Sequence, residues 1–205
     1  MKKIAILISV LFISLSGFGQ SDLIPERNWK LVQDYLSQKK EFSGILLLGA
    51  EGKIKINLGS GFADRSKEIP YTDLSLCTIG SITKSMTATA ILRLSDKGKL
   101  GLHDKITVYF KQVPKDKQGI TIHHLLTHSS GLPGAIGDDY EKINAENFQA
   151  RAWEKPLFFT PGEGYEYSNV GYSLLGMIIE QVSGQSYSQF LQENIFQPAG
   201  MTTAG

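Results

Sequence analysis

LCTIGSITKSMTATAILRLSDKG, Leu76 to Gly98, sets a serine directly after a glycine, a lysine three positions later, and then an apolar helical pattern. Met86, Ala90, Ile91 and Leu94 suit one face of a helix that begins at Ser81, and Gly98 reads as its stop. Two readings compete for Ser81. As a nucleophile it would have Lys84 within reach, because residues three apart on a helix are surface neighbours. The first turn of a helix also offers backbone N–H groups and a positive end that stabilise a developing oxyanion. As an N-cap it would need no chemistry, since serine is favoured there. The Ser-x-x-Lys pattern recurs at Ser37-Gln38-Lys39-Lys40, in a polar helix end where it carries no such meaning. The pattern is therefore weak by itself.

Working toward the N-terminus, "FSGILLLGA" and "GKIKINLGSGFAD" flank Glu51-Gly52. The first is a continuous apolar run. The second alternates, with Ile54, Ile56 and Leu58 on one face and Lys53, Lys55 and Asn57 on the other. They predict an antiparallel hairpin whose first strand is buried on both sides and whose second is buried on one. Asp22 and Pro25 predict a helix start, followed by Trp29, Val32 and Leu36 at helical spacing. Residues 1–20 have the layout of a secretory signal peptide: Lys2 and Lys3, an apolar run from Ile4 to Leu15, then Ser16, Gly17 and Gly19. Cleavage after Gly19 or Gln20 is expected, giving an exported protein, periplasmic or extracellular, with no stable membrane insertion.

Of the 205 residues, 21 are basic and 20 acidic. Without residues 1–20, which hold two lysines and no acid, the net charge is −1. Such a surface gives no electrostatic reason to expect nucleic acid or anionic lipid. Cys77 is the single cysteine, so no internal disulfide forms. Toward the C-terminus, "GYSLLGMIIEQVSG" reads as a short apolar helix ending at Gly184, and "YSQFLQENIFQPAGM" as another. The order of helix, hairpin and mostly helices is α+β. It divides into residues 21–98, which hold the nucleophile helix, and a mostly helical region, 99–205.

The stretch that tips the balance for Ser81 is "FTPGEGYEYSNVGYSLLG". In Tyr167-Ser168-Asn169 a phenol precedes an amide by two residues, after Pro161-Gly162 and just before an apolar helix. A phenol can exchange protons with Ser81 or Lys84, and a carboxamide can fix a substrate amide by two hydrogen bonds. With "IGSITKSMTA", "ITIHHLLTHSSGLPG" and "IFQPAGM" in the same order, the chain resembles the serine β-lactamase and penicillin-binding-protein-like superfamily. The branch is that of class C β-lactamases, D-alanyl-D-alanine carboxypeptidases and related esterases. The resemblance runs from about Asp22 to Thr203.

It implies an antiparallel sheet flanked by helices, plus a helical domain. It implies Ser81 as the acylated nucleophile, Lys84 as its general base, Tyr167 as a proton shuttle and Asn169 as a substrate-holding amide. It also implies a small-molecule or peptide substrate and neither metal nor organic cofactor, and it leaves the oligomeric state open. One element of the family is missing, a Lys-Thr-Gly or His-x-Gly type triplet on a later strand. From Pro156 to Gly205 there is no lysine, arginine or histidine. The expectation is an N-terminal portion without its later strands and closing helix, poorly folded or inactive when expressed by itself.

Three rival chemistries are weaker. His124 and His128 have the spacing of two zinc ligands on a helical turn, but Leu125 stands where a glutamate would follow. No Gly-x-Ser-x-Gly supports an α/β-type hydrolase. Glu163 and Glu166 read as solvated loop acids rather than a glycosidase pair. The non-enzymatic alternative is a penicillin- or peptidoglycan-binding module that no longer turns over.

Overall fold

The computed structural model describes residues 26–39, 41–138 and 141–205. The signal-peptide reading of residues 1–20 and the helix start at Asp22 and Pro25 lie outside the described residues. The chain divides into two compact units, Met1–Cys77 and Thr78–Gly205. Its class is α+β, with small antiparallel sheets and a predominantly helical second unit.

The first unit holds α1 (Glu26–Ser37), β1 (Gly44–Ala50) and β2 (Lys53–Ser60), followed by the short pair β3 (Phe62–Asp64) and β4 (Ile69–Pro70). β1 and β2 pair antiparallel, with Ala50 opposite Lys53. Their two-residue turn has positive φ at both Glu51 (54°) and Gly52 (70°), the backbone a type I′ hairpin turn requires. α1 packs on β2.

The expected burial of this hairpin needs correction. Leu47 in β1 is 58% exposed, although the continuous apolar run FSGILLLGA predicts burial on both sides. Among the described residues β1 has one neighbouring strand, so its sheet has two strands and covers little. In β2 the register slips between Leu48 and Gly49, which face Ile56 and Ile54, leaving Lys55 as an extra residue. That bulge interrupts the alternation. Ile56 is 2% exposed, whereas Ile54 is 67% exposed.

The second unit holds α2 (Thr83–Asp96), α3 (Ile122–Leu126), α4 (Ala145–Glu154), α5 (Asn169–Ser183) and α6 (Tyr187–Leu191). A 3₁₀ turn, Gly80–Ile82, precedes α2, and a π-type turn, Gln192–Phe196, follows α6. α2 packs on α5 and α6 and lies in this unit, which begins at Thr78. Ala90, Ile91 and Leu94 of α2 join Val170, Leu174, Leu175, Ile178 and Ile179 of α5 in one buried cluster. Leu125 of α3, Ala152 of α4 and Phe190 of α6 complete it from other sides. α5 ends as its sequence suggests, with Gly184 in the left-handed conformation donating its N–H to the Glu180 carbonyl. α4, capped by the Asn144 side chain on the Asn147 N–H, is a helix the sequence patterning did not single out. No helix of the described residues is long and apolar enough to cross a membrane.

Candidate active site

Ser81 is the middle residue of the 3₁₀ turn that leads into α2. Gly80 before it has φ of +52°, a conformation a residue with a side chain seldom adopts. The capping reading of Ser81 is not what the structure shows. Neither the 3₁₀ turn nor α2 receives a side-chain cap bond. Instead the Ser81 hydroxyl oxygen accepts from the Tyr167 hydroxyl at 2.8 Å and from Lys84 Nζ at 3.2 Å.

Lys84, the second residue of α2, follows Ser81 by three residues and so lies on the same side. Its Nζ also donates to Asn169 Oδ1 at 2.6 Å and lies 4.8 Å from the Tyr167 ring centroid. The amine thus stands among the hydroxyl, the phenol and the amide. Packing of α2 on α5 brings the leading ends of the two helices together, although 85 residues separate Lys84 from Asn169.

Ser168 explains how Tyr167 and Asn169 reach the same place. It is the N-cap of α5 and extended, with φ −122° and ψ 112°. Side chains flanking an extended residue point to the same side. The Ser168 hydroxyl turns the opposite way, donating to the Pro133 carbonyl at 2.7 Å and accepting the Gly171 N–H at 3.0 Å. Sequence reasoning passed over this residue, although a serine just before an apolar run is an N-cap signal.

The electrostatics centre on the phenol. Hydrogen bonding to Lys84 first, and to Ser81 second, holds the Tyr167 pKa below the ordinary phenol value, against a smaller upward push from burial. Tyr167 is 41% exposed. An open groove beside Ser81 is bordered by Gly80, Lys84, Thr87, Asn169 and Tyr187. Asn169 also borders a hollow of about 270 Å³ lined by Ile136, Ile143, Phe148 and Arg151.

The two histidines weighed as zinc ligands have other occupations. His124 completes a capping box at the start of α3, with its Nδ1 accepting the Thr121 N–H and its own N–H bound to the Thr121 hydroxyl. His128 Nδ1 accepts the Ser168 N–H at 3.0 Å. Among the described residues no group of three or more His, Cys, Asp or Glu side chains is placed to hold a metal ion.

The Beta-lactamase family model matches residues 30–205. The chain belongs to the beta-lactamase family. It is similar to Penicillin-binding protein 4* of Bacillus subtilis, 37% identical over 174 residues that cover 81% of this chain and 38% of that protein. A penicillin binding protein from Bacillus halodurans superposes with a TM-score of 0.72 at 30% identity, over 84% of this chain and 56% of that one. The D-amino acid amidase from Ochrobactrum anthropi, in complex with L-phenylalanine amide, superposes at 0.74 with 31% identity, over 86% of this chain and 51% of that one. The chain therefore spans well under half the length of that curated relative, and about half of each solved structure. Family membership accords with the α+β architecture.

Proposed function

We propose that the chain carries the acylation machinery of a serine hydrolase that transfers an acyl group from an amide or ester to Ser81. The Ser81 oxygen attacks the carbonyl carbon while Lys84 takes the hydroxyl proton as general base. Tyr167 passes a proton to the leaving nitrogen or oxygen as its bond to the carbonyl carbon breaks. Asn169 holds the substrate amide, and the Ser81 N–H, at the head of the helix, faces the oxyanion. Water then releases the acyl group along the reverse proton route. The observation that carries this reading is the convergence of Tyr167 and Lys84 on one hydroxyl, at 2.8 and 3.2 Å.

The substrate class we propose is a β-lactam, a D-amino-acid peptide or amide, or a small ester, a reading supported by similarity to penicillin-binding proteins and a D-amino acid amidase. The leader-like residues 1–20 favour work outside the cytoplasm.

The test is acylation of the full chain by a fluorescent penicillin and by a fluorophosphonate, with the modified residue located by peptide mass. Label on Ser81 is expected, absent in Ser81→Ala and slowed by about 10² or more in Tyr167→Phe. Label elsewhere on a well-folded protein overturns the reading, and absence of label from a protein that includes the later strands favours a binding module.

A further inference from the structure

His128 leaves α3 with φ of +58°, a left-handed conformation uncommon for a residue with a side chain and tolerated best by glycine and asparagine. Strain of this kind persists where surrounding contacts demand it. Here the contacts converge on Tyr167. The His128 carbonyl accepts the Glu166 N–H at 2.9 Å, and the His128 Nδ1 accepts the Ser168 N–H at 3.0 Å. Tyr167 sits between these two anchors, its ring centroid 4.5 Å from that of the imidazole and tilted by 32°. Tyr172 covers the imidazole at 5.0 Å, and Tyr165 meets it edge-on at 5.9 Å. One side chain and its carbonyl thus hold the backbone on both sides of Tyr167 and also the face of its ring.

An Nδ1 that accepts from a backbone N–H belongs to an imidazole whose proton is on Nε2. Protonation would place a second donor against the Ser168 N–H and end that bond. The titratable groups facing the ring are Lys84 from α2, Tyr165 and Tyr167 from the preceding loop, and Tyr172 from α5. Burial first, and Lys84 second, lower the His128 pKa, which keeps the accepting form in place at neutral pH.

We propose that neutral His128 is a positioning residue that clamps Glu166–Ser168 so that the Tyr167 hydroxyl stays on Ser81, and that its protonation opens the clamp and slows acylation in mildly acidic solution. The catalytic half of this rests on the proposed role of Tyr167. The geometric half does not.

Two readouts on the full chain separate the halves. The first is the NMR titration of the Tyr167 phenol in protein labelled with [ζ-¹³C]tyrosine, assigned through Tyr167→Phe. The second is the rate of Ser81 phosphonylation by a fluorophosphonate over about pH 5 to 9. His128→Asn keeps tolerance of positive φ and an acceptor on the same carbon, without titrating. His128→Gly keeps the backbone conformation and removes the ring.

In the parent protein both readouts are expected to step together as His128 titrates below about pH 6.5. His128→Asn should remove the step and hold the neutral-pH rate within about three-fold. His128→Gly should move the phenol pKa back toward about 10 and slow phosphonylation by about 10², the size of loss that small misplacements of reacting groups cause. A Tyr167 titration unchanged in His128→Gly, or an acid step retained in His128→Asn, overturns the clamp. A Tyr167 signal that follows His128 while Ser81 stays unmodified at every pH supports the clamp and overturns the acylation reading on which its catalytic half rests.

Discussion

β1 and α5 carry equally apolar runs and treat them differently. In β1, Ile45, Leu46 and Leu48 are half-buried and Leu47 is largely exposed. In α5, Leu174, Leu175, Ile178 and Ile179 are all fully buried. α5 is packed by α2, α3, α4 and α6, whereas β1 has β2 as its one strand neighbour among the described residues. All the buried apolar residues described, except Ile56, belong to the second unit. Hydrophobicity supplies the tendency to be covered, and the number of neighbouring elements decides whether it is met.

The largest test of that contrast is Ile178→Ala. It should destabilise the second unit by about 2–5 kcal/mol, through lost burial and a residual cavity. Urea unfolding followed by Trp153 fluorescence, in a Trp29→Phe background, reads this unit. A cost under about 1 kcal/mol would mean that α5 is not the centre of its core.

Ser168→Ala comes next, at about 1–2 kcal/mol, because it removes both an N-cap and a buried hydroxyl bond to the Pro133 carbonyl. The same variant should slow Ser81 labelling, since it loosens the segment carrying Tyr167 and Asn169. Unaltered melting would show that the cap is dispensable.

A smaller effect separates the units by pH. Burial lowers the pKa values of His124 and His128, both in the second unit. A folded-state pKa below the unfolded value near 6.5 favours the neutral form, so this stabilisation is present above about pH 6.5 and fades as pH falls below it. The Trp153-monitored midpoint should drop between about pH 7 and 5, with His128→Asn showing less of the drop. Asp104 and Glu141, whose pKa values are held down by hydrogen bonds, lose their contributions only at lower pH. An increase in the midpoint on acidification would contradict the sign.

Leu47→Thr should be least, within about 0.5 kcal/mol by urea unfolding read through far-UV circular dichroism, as for an exposed position away from special features. A cost comparable to that of Ile178→Ala would break the comparison outright.

Much of the fold was legible where local periodicity and punctuation agree. The α2 face at Ala90, Ile91 and Leu94, the Gly184 stop and the Glu51-Gly52 turn are cases where a short stretch contains its own physical cause. The burial of β1 and β2 was not legible, because it depends on neighbours elsewhere in the chain and on a bulge at Lys55 that shifts the alternation. For the candidate site, the spacing of Ser81 and Lys84 was readable but ambiguous, since Ser37 offers the same pattern. That Tyr167 meets them is long-range information, obtainable from sequence through ordered family motifs. The clamp by His128 left no trace in the pattern: a left-handed backbone and a bond to Ser168 leave the sequence looking like an ordinary helix end.

The extended, capped backbone at Ser168 sets a tolerance for change. Side-chain direction there alternates residue by residue, so adding or removing a single residue between Tyr167 and Asn169 would send phenol and amide to opposite faces. No repacking nearby could restore their phase. The site therefore tolerates exchange of one side chain for another in this stretch better than a change of length.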